Sequence, residues 1–225
     1  MSGPAAIQAV LFDHDGTLVD SEPTHWQIWN GVLAPLGHAI SEAEYRDRYA
    51  GMPTPANAVD LVTRCGIPLP PAELAERKAE ATRAYLAHSP FPLMPGAREA
   101  IATLREAGLR LAVVTGAARD ATRASLGAHG LLHLFETVVT VDDVTHGKPA
   151  PDCYLLAAQH LGLATRQCVA IEDSEHGLQS AADAQVPCVV KPTPMSRHHD
   201  FRRATVQVPD LAAAAAWVLA HRQPA

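Results

Sequence analysis

The residues of this chain best suited to chemistry stand at the ends of short apolar runs. "AVLFDHDGT" (9–17) closes a hydrophobic stretch with Asp13, His14, Asp15 and Gly16. Two carboxylates this close repel each other and lose hydration once sheltered, so a cation, an electrophile or open solvent must compensate them. The same punctuation recurs downstream: "AVVTG" (112–116) ends in Thr115 and Gly116, "GKP" (147–149) carries Lys148, and "VAIEDS" (169–174) ends in Glu172, Asp173 and Ser174. If these runs are parallel strands, their carboxyl ends share one edge, where open α/β sheets bind ligands. Four carboxylates would then face one lysine. That excess of negative charge calls for Mg²⁺ held by oxygen ligands. Metal and Lys148 together would attract a phosphate group, and Gly16 and Gly116 would let backbone N–H groups approach its oxygens. An aspartate in such a site can attack phosphorus, and Asp15 can pass a proton to the leaving oxygen. Alternation along an extended backbone would set Asp13 and Asp15 on one side and His14 on the other.

Elements able to position these groups are legible. From about Met94 onward, Val-rich runs at 109–116, 135–141, 167–174 and 186–192 alternate with helical patterns at 96–108, 118–130, 150–162 and 174–185. With "AIQAVLFD" this makes at least five strands of a doubly covered parallel sheet, a Rossmann-like α/β fold. "VPDLAAAAAWVLAHR" reads as a closing helix with Asp210 at its start. Residues 20–92 hold no comparable strand. They read as helices, with a capping box at Ser41 and Glu44 and stop signals at Gly37, Gly51 and Gly66. The expected organisation is a core of residues 1–19 and 93–225, with a small all-helical domain, 20–92, inserted after the first strand.

Composition sets outer limits. A chain of 225 residues with 48% hydrophobic content can bury one large core, or one core and a smaller lobe, and its net charge of -6 gives no reason to expect nucleic acid as a partner. Cys65, Cys153, Cys168 and Cys188 form no CxxC pair and read as reduced thiols. The start "MSGPAAIQAV" lacks the features of a signal peptide, and no run approaches a membrane span. A cytoplasmic protein without a membrane or nucleic-acid partner is expected, as a monomer or a dimer.

Taken singly, each motif has a bland meaning, such as a turn, a surface lysine or a helix cap. In order, "DHDGTLVDSE", "VVTG", "GKPAPD" and "IEDSEHGLQSAADA" resemble the haloacid dehalogenase-like hydrolase superfamily. The branch is that of β-phosphoglucomutase, phosphoglycolate phosphatase and sugar-phosphate phosphatases. The resemblance implies that Asp13 is the nucleophile and Asp15 the general acid/base. It implies that Thr115 grips the transferring phosphoryl group and that Lys148 bridges phosphate and nucleophile. Asp13, the backbone carbonyl of Asp15, and Asp173, with Glu172 beside them, are implied as Mg²⁺ ligands. The helical insert is implied as a cap whose His25 and Trp29 match positions that the mutase also fills with His and Trp. The mutase carries an arginine shortly after a cap glycine; with that glycine aligned to Gly51, Thr54 takes its place. Arg48 and Lys78 are nearby cations outside the motif position. The expected activity is Mg²⁺-dependent hydrolysis of a small phosphorylated metabolite, a sugar phosphate or phosphoglycolate. The alternatives are a β-phosphoglucomutase-like mutase and a non-catalytic phospho-acceptor.

Overall fold

The computed structural model describes residues 7–222; the outermost residues of the expected core, 1–6 and 223–225, lie outside the described residues. Strand β1 (Ala9–Phe12) leads into four helices, α1 (Glu22–Leu33), α2 (Glu42–Arg48), α3 (Thr54–Cys65) and α4 (Pro71–Leu86). The chain then alternates α5 (Ala97–Glu106), β2 (Arg110–Val114), α6 (Arg119–Ala128), β3 (Thr137–Val139), α7 (Asp152–His160), β4 (Cys168–Glu172), α8 (Glu175–Asp183) and β5 (Cys188–Val190). It closes with β6 (Val206–Gln207) and α9 (Leu211–His221).

The strands form one parallel sheet in the order β3-β2-β1-β4-β5-β6. Side chains alternate between its faces. Val10, Phe12, Val113 and Ile171 pack with α5, α6 and α9, whereas Leu11, Val114, Ala170 and Val190 pack with α7 and α8. Burial on both faces explains why these strands read as continuous apolar runs. β1 lies at the centre, and the chain adds strands to one side of it before crossing to the other. A crevice therefore opens at the carboxyl ends of β1, β2 and β4, the topological switch point.

The helical insert has its own core, in which Trp29, Leu33, Leu61 and Leu74 are buried. Two strips of chain join it to the sheet and lie side by side: Val19 bridges Leu93, the Asp20 N–H donates to the Pro92 carbonyl (2.8 Å), and the Met94 N–H to the Leu18 carbonyl (2.9 Å).

Differences from the sequence expectations are local. The run 135–141 yields a strand only at Thr137–Val139, because Thr140 caps a short 3-10 turn with Asp143. β6 is two residues long and gave no signal. Ser41 accepts from the Glu44 N–H (3.1 Å), but the Glu44 carboxylate pairs with Arg64 instead of completing a capping box. All four cysteines are free thiols. Among the described residues no helix is long and apolar enough to cross a membrane.

Leu104, fully buried on α5 against the sheet, tests the first of these cores. Leu104→Ala is expected to cost about 2–5 kcal/mol, read as a lower urea midpoint with an unchanged slope.

Candidate active site

A cavity of about 1030 Å³ lies between the carboxyl edge of the sheet and the helical insert. Asp13, Asp15, Thr115, Gly116, Lys148 and Asp173 line it from the sheet side, and His25, Trp29, Thr54 and Lys78 from the insert. β1 delivers Asp13, β2 delivers Thr115, and β4 delivers Glu172 and Asp173, all within a residue of a strand's end.

Lys148 is the hub. Its buried Nζ donates to Asp13 Oδ1 (2.7 Å), Glu172 Oε1 (2.6 Å) and the Val114 carbonyl (2.8 Å). Those bonds use all three ammonium protons. Tyr154 also donates to Glu172 Oε1 (2.6 Å), and Glu172 itself lies beneath the cavity wall, fully buried. Burial opposes the charge on Lys148, but Asp13 and Glu172 outweigh it and hold the ammonium well above its usual range. Burial, reinforced by Glu172, pushes the Asp13 carboxyl up to about 7 against the pull of Lys148. Burial, then Asp13 and Glu172, drives Asp173 well above the usual carboxylate range.

Asp13, Glu172 and Asp173 each offer a carboxylate oxygen within 4.8 Å of the others, and Asp13 Oδ2 is buried with no hydrogen-bond partner among the described residues. An orphaned oxygen amid under-neutralised carboxylates fits a hard divalent cation, for which oxygen-only donors are suited.

Asp15 occupies a different environment. Ser21 Oγ donates to its Oδ1 (2.5 Å), His14 Nδ1 lies 3.1 Å from Oδ2, and His25 Nε2 lies 3.4 Å from Oδ1. Burial raises its proton affinity, but His14 and then His25 prevail and hold the carboxyl well below its usual range. Lys78 Nζ, 2.8 Å from His25 Nδ1, orients that ring with its Nε2 proton toward Asp15. Burial lowers Lys78 to about 8 against the opposing influence of Asp15 and Glu22. Thr115 Oγ1 accepts from the Ala117 N–H (3.0 Å), which leaves its own proton free to donate into the cavity.

The family model of haloacid dehalogenase-like hydrolases matches residues 7–185. The chain belongs to this family. Within it, the chain is 37% identical over 184 residues to fructose-1-phosphate phosphatase YqaB of Escherichia coli, covering 80% of this chain and 94% of that one. It is 35% identical over 217 residues to protein CbbY of Rhodobacter capsulatus, covering 93% and 96%. The crystal structure of CbbY from Rhodobacter sphaeroides in complex with phosphate superposes with a TM-score of 0.82 at 32% identity, covering 92% of this chain and 95% of that one. The same protein has been solved as a mutant with xylulose-(1,5)bisphosphate.

Several sequence expectations change in this member of the family. His14 does not point away from Asp15, because extended geometry ends at Phe12 and a tight turn folds His14 back beside it. The Gly16 amide is not free for a phosphate, since it donates to the Val19 carbonyl (2.8 Å). Gly16 instead takes φ +81°, and a Cβ there would stand 2.4 Å from Asp173 Oδ2, so glycine lets that carboxylate close in. Arg48 lies outside the main cavity, in a neighbouring cleft of about 230 Å³ with His198 and His199. Trp29 serves the insert's core as well as the cavity wall. Sequence reasoning missed Ser21, Tyr154 and Lys191, whose Nζ donates to the Gly16 carbonyl (3.0 Å). Lys191 directly follows β5, so the question of what each strand ends in would have found it. Ser21 directly precedes α1 and Tyr154 lies within α7, so neither stands at a strand's end.

Glu172 packs so closely on α8 that a Cβ at Gly177 would lie 2.0 Å from its carboxyl group. Gly177→Ala is expected to destabilise the fold by about 1–3 kcal/mol and to lower turnover by moving Glu172 off Lys148. A thermal melt paired with an activity assay checks both.

Proposed function

We propose that this enzyme is a Mg²⁺-dependent phosphatase acting on a small phosphorylated sugar or sugar alcohol through an aspartyl-phosphate. The observation that carries the reading is the Asp13–Lys148–Glu172 arrangement, a carboxylate held in place by one oxygen with the other unpartnered at the cavity floor. The enzyme is a phosphoric monoester hydrolase. Asp13 attacks phosphorus while the P–O bond to the leaving alcohol breaks, and Asp15 protonates the departing oxygen. Asp15, again a carboxylate, then takes a proton from the water that attacks the phosphorus of the aspartyl-phosphate. Inorganic phosphate leaves and Asp13 is restored. Without substrate Asp15 is held ionised; a doubly charged phosphate beside it raises its proton affinity by like-charge repulsion and readies it as the acid.

Thr115 donates to a phosphoryl oxygen and Lys148 balances charge between phosphate and nucleophile. Asp13, the Asp15 carbonyl, Glu172 and Asp173 are the residues that would hold Mg²⁺. When bound, the ion neutralises charge developing on the transferring group. Segment 20–92 acts as a cap domain that closes the cavity, expels water and selects the substrate.

Two observations support a sugar-sized substrate. The cavity exceeds what a two-carbon phosphoglycolate fills, and the relatives include a fructose-1-phosphate phosphatase and hexitol phosphatase B. Hydrolysis is favoured over a mutase because Thr54 faces the cavity where the mutase carries an arginine, and Arg48 lies outside it.

Asp13→Asn should reduce turnover to background while the fold stays intact, as read by circular dichroism; retained phosphate release would end the nucleophile assignment. Asp15→Asn should lower kcat by roughly 10²–10⁴-fold, the range for a general acid/base, measured as phosphate release across a panel of sugar phosphates. Chelation of divalent ions should stop phosphate release, and Mg²⁺ should restore it.

A further inference from the structure

The loop between β5 and β6 takes no part in the proposed chemistry, yet it touches both the cap and the carboxylate cluster. Three hydrogen bonds lock its centre. The Thr193 N–H donates to Ser196 Oγ (3.0 Å), the Ser196 N–H to the Thr193 carbonyl (3.1 Å), and the Met195 N–H to Thr193 Oγ1 (3.2 Å). Thr193 and Ser196 are 7% and 2% exposed. Met195 therefore cannot shift without disturbing Ser196.

The two side chains address different bodies. Ser196 Oγ lies 3.4 Å from Asp173 Oδ2 and 3.1 Å from Thr193 Oγ1. With the Thr193 hydroxyl donating to Ser196 Oγ, the Ser196 proton is left for the Asp173 carboxylate. That same Asp173 oxygen faces Gly16, so the carboxylate is boxed between the first turn of the core and this serine. Met195 packs against the cap's apolar cluster, whose other members all lie between Trp26 and Ala75. It is thus the core's contribution to the cap interior among the described residues, away from the paired linkers at 18–20 and 92–94.

We propose that Met195 and Ser196 are positioning residues that couple the seating of the cap to cation binding at Asp173. A docked Met195 holds the loop in place, and the loop holds Ser196 against Asp173. Lifting the cap would expose the Met195 side chain to water and free the loop, and the 3.4 Å Ser196–Asp173 contact is the weakest link in the chain. Coupling of this kind is reciprocal: a cation that fixes Asp173 also favours the seated cap. The inference rests on the cation reading of the Asp13, Glu172 and Asp173 cluster and extends it to residues outside the site.

Calorimetric titration of the full chain with Mg²⁺ alone, without substrate, tests the coupling. Met195→Ala and Ser196→Ala are each expected to raise the Mg²⁺ Kd by roughly 5-fold or more, the lower end of ordinary coupling factors. Met195→Leu should bind as the wild type does, and Met195→Ala should add nothing in a Ser196→Ala background. Hydrogen exchange gives a second readout: Mg²⁺ should increase protection of α3 and α4 in the wild type but not in Met195→Ala. Should the alanine variant not fold, Met195→Gln, of similar length but polar, is expected to reproduce its effects. An unchanged Kd in folded Met195→Ala or Met195→Gln overturns the coupling, as does the same added loss in the Ser196→Ala background. A wild type that binds no Mg²⁺ overturns the cation reading itself, and the coupling with it.

Discussion

The bond network of Lys148 is the constraint around which the rest of this structure is arranged. A fully used ammonium group ties the first strand, through Asp13, to the fourth, through Glu172, and its third proton reaches the end of the second at Val114. Burying charges without such pairing is costly, because each loses its hydration. Here the geometry repays part of that loss for two carboxylates, leaves one oxygen of Asp13 without a partner among the described residues, and leaves Asp173 with its proton affinity driven up by burial and its acidic neighbours. The shortfall is what gives the site an appetite for positive charge. Asp15, only two residues from Asp13, avoids the same fate because a serine and two imidazoles surround it. Two like carboxylates are thereby driven to opposite proton affinities by their surroundings, the pattern expected where one attacks and the other handles protons.

The fold was legible where apolar periodicity is strong. Runs such as "LRLAVV" and "CVAIE" are short, β-branched and bounded by glycine or acid, and β2 and β4 occupy them. The insert's helices were legible from spacing, prolines and closing glycines, and α3 ends at a left-handed Gly66 as its sequence implies. What escaped had no local cause. β6 exists because β5 offers it an edge, and the shortened β3 reflects Thr140 turning the chain. At the site, strand-end residues were readable because sheet topology alone brings strand ends together. Side chains supplied from a helix, Tyr154, or from just before one, Ser21, depend on packing that no window of sequence reveals. His14 was misplaced because alternation was carried two residues past the strand that justifies it.

The insert shows a division of labour within single residues. Trp29 packs the cap and also walls the cavity, and Lys78 stands 5.8 Å from its ring centroid while bonding His25 and Thr82. A change in the cap's interior therefore alters the surface that meets a ligand. Gly51 makes the contact between bodies close: a Cβ there would stand 3.1 Å from Cβ of Ser174, the residue after Asp173, while its N–H donates within the insert to Glu22 (3.0 Å). At this point the cap backbone thus approaches the core loop at Ser174 directly.

The position of β1 carries a consequence for how the molecule comes into being. Its two neighbours pair through Ala9 with Arg110 on one side and Cys168 on the other, so the strand bearing Asp13 has no partner close by in the chain. Contacts of such separation are slow to form, since a long stretch must be closed before any reward is gained. A nascent chain leaving the ribosome would carry Asp13 across the 135 positions that separate it from Lys148, with Glu172 another 24 further on. The surroundings of Asp13 are therefore complete only once β4 has joined the sheet.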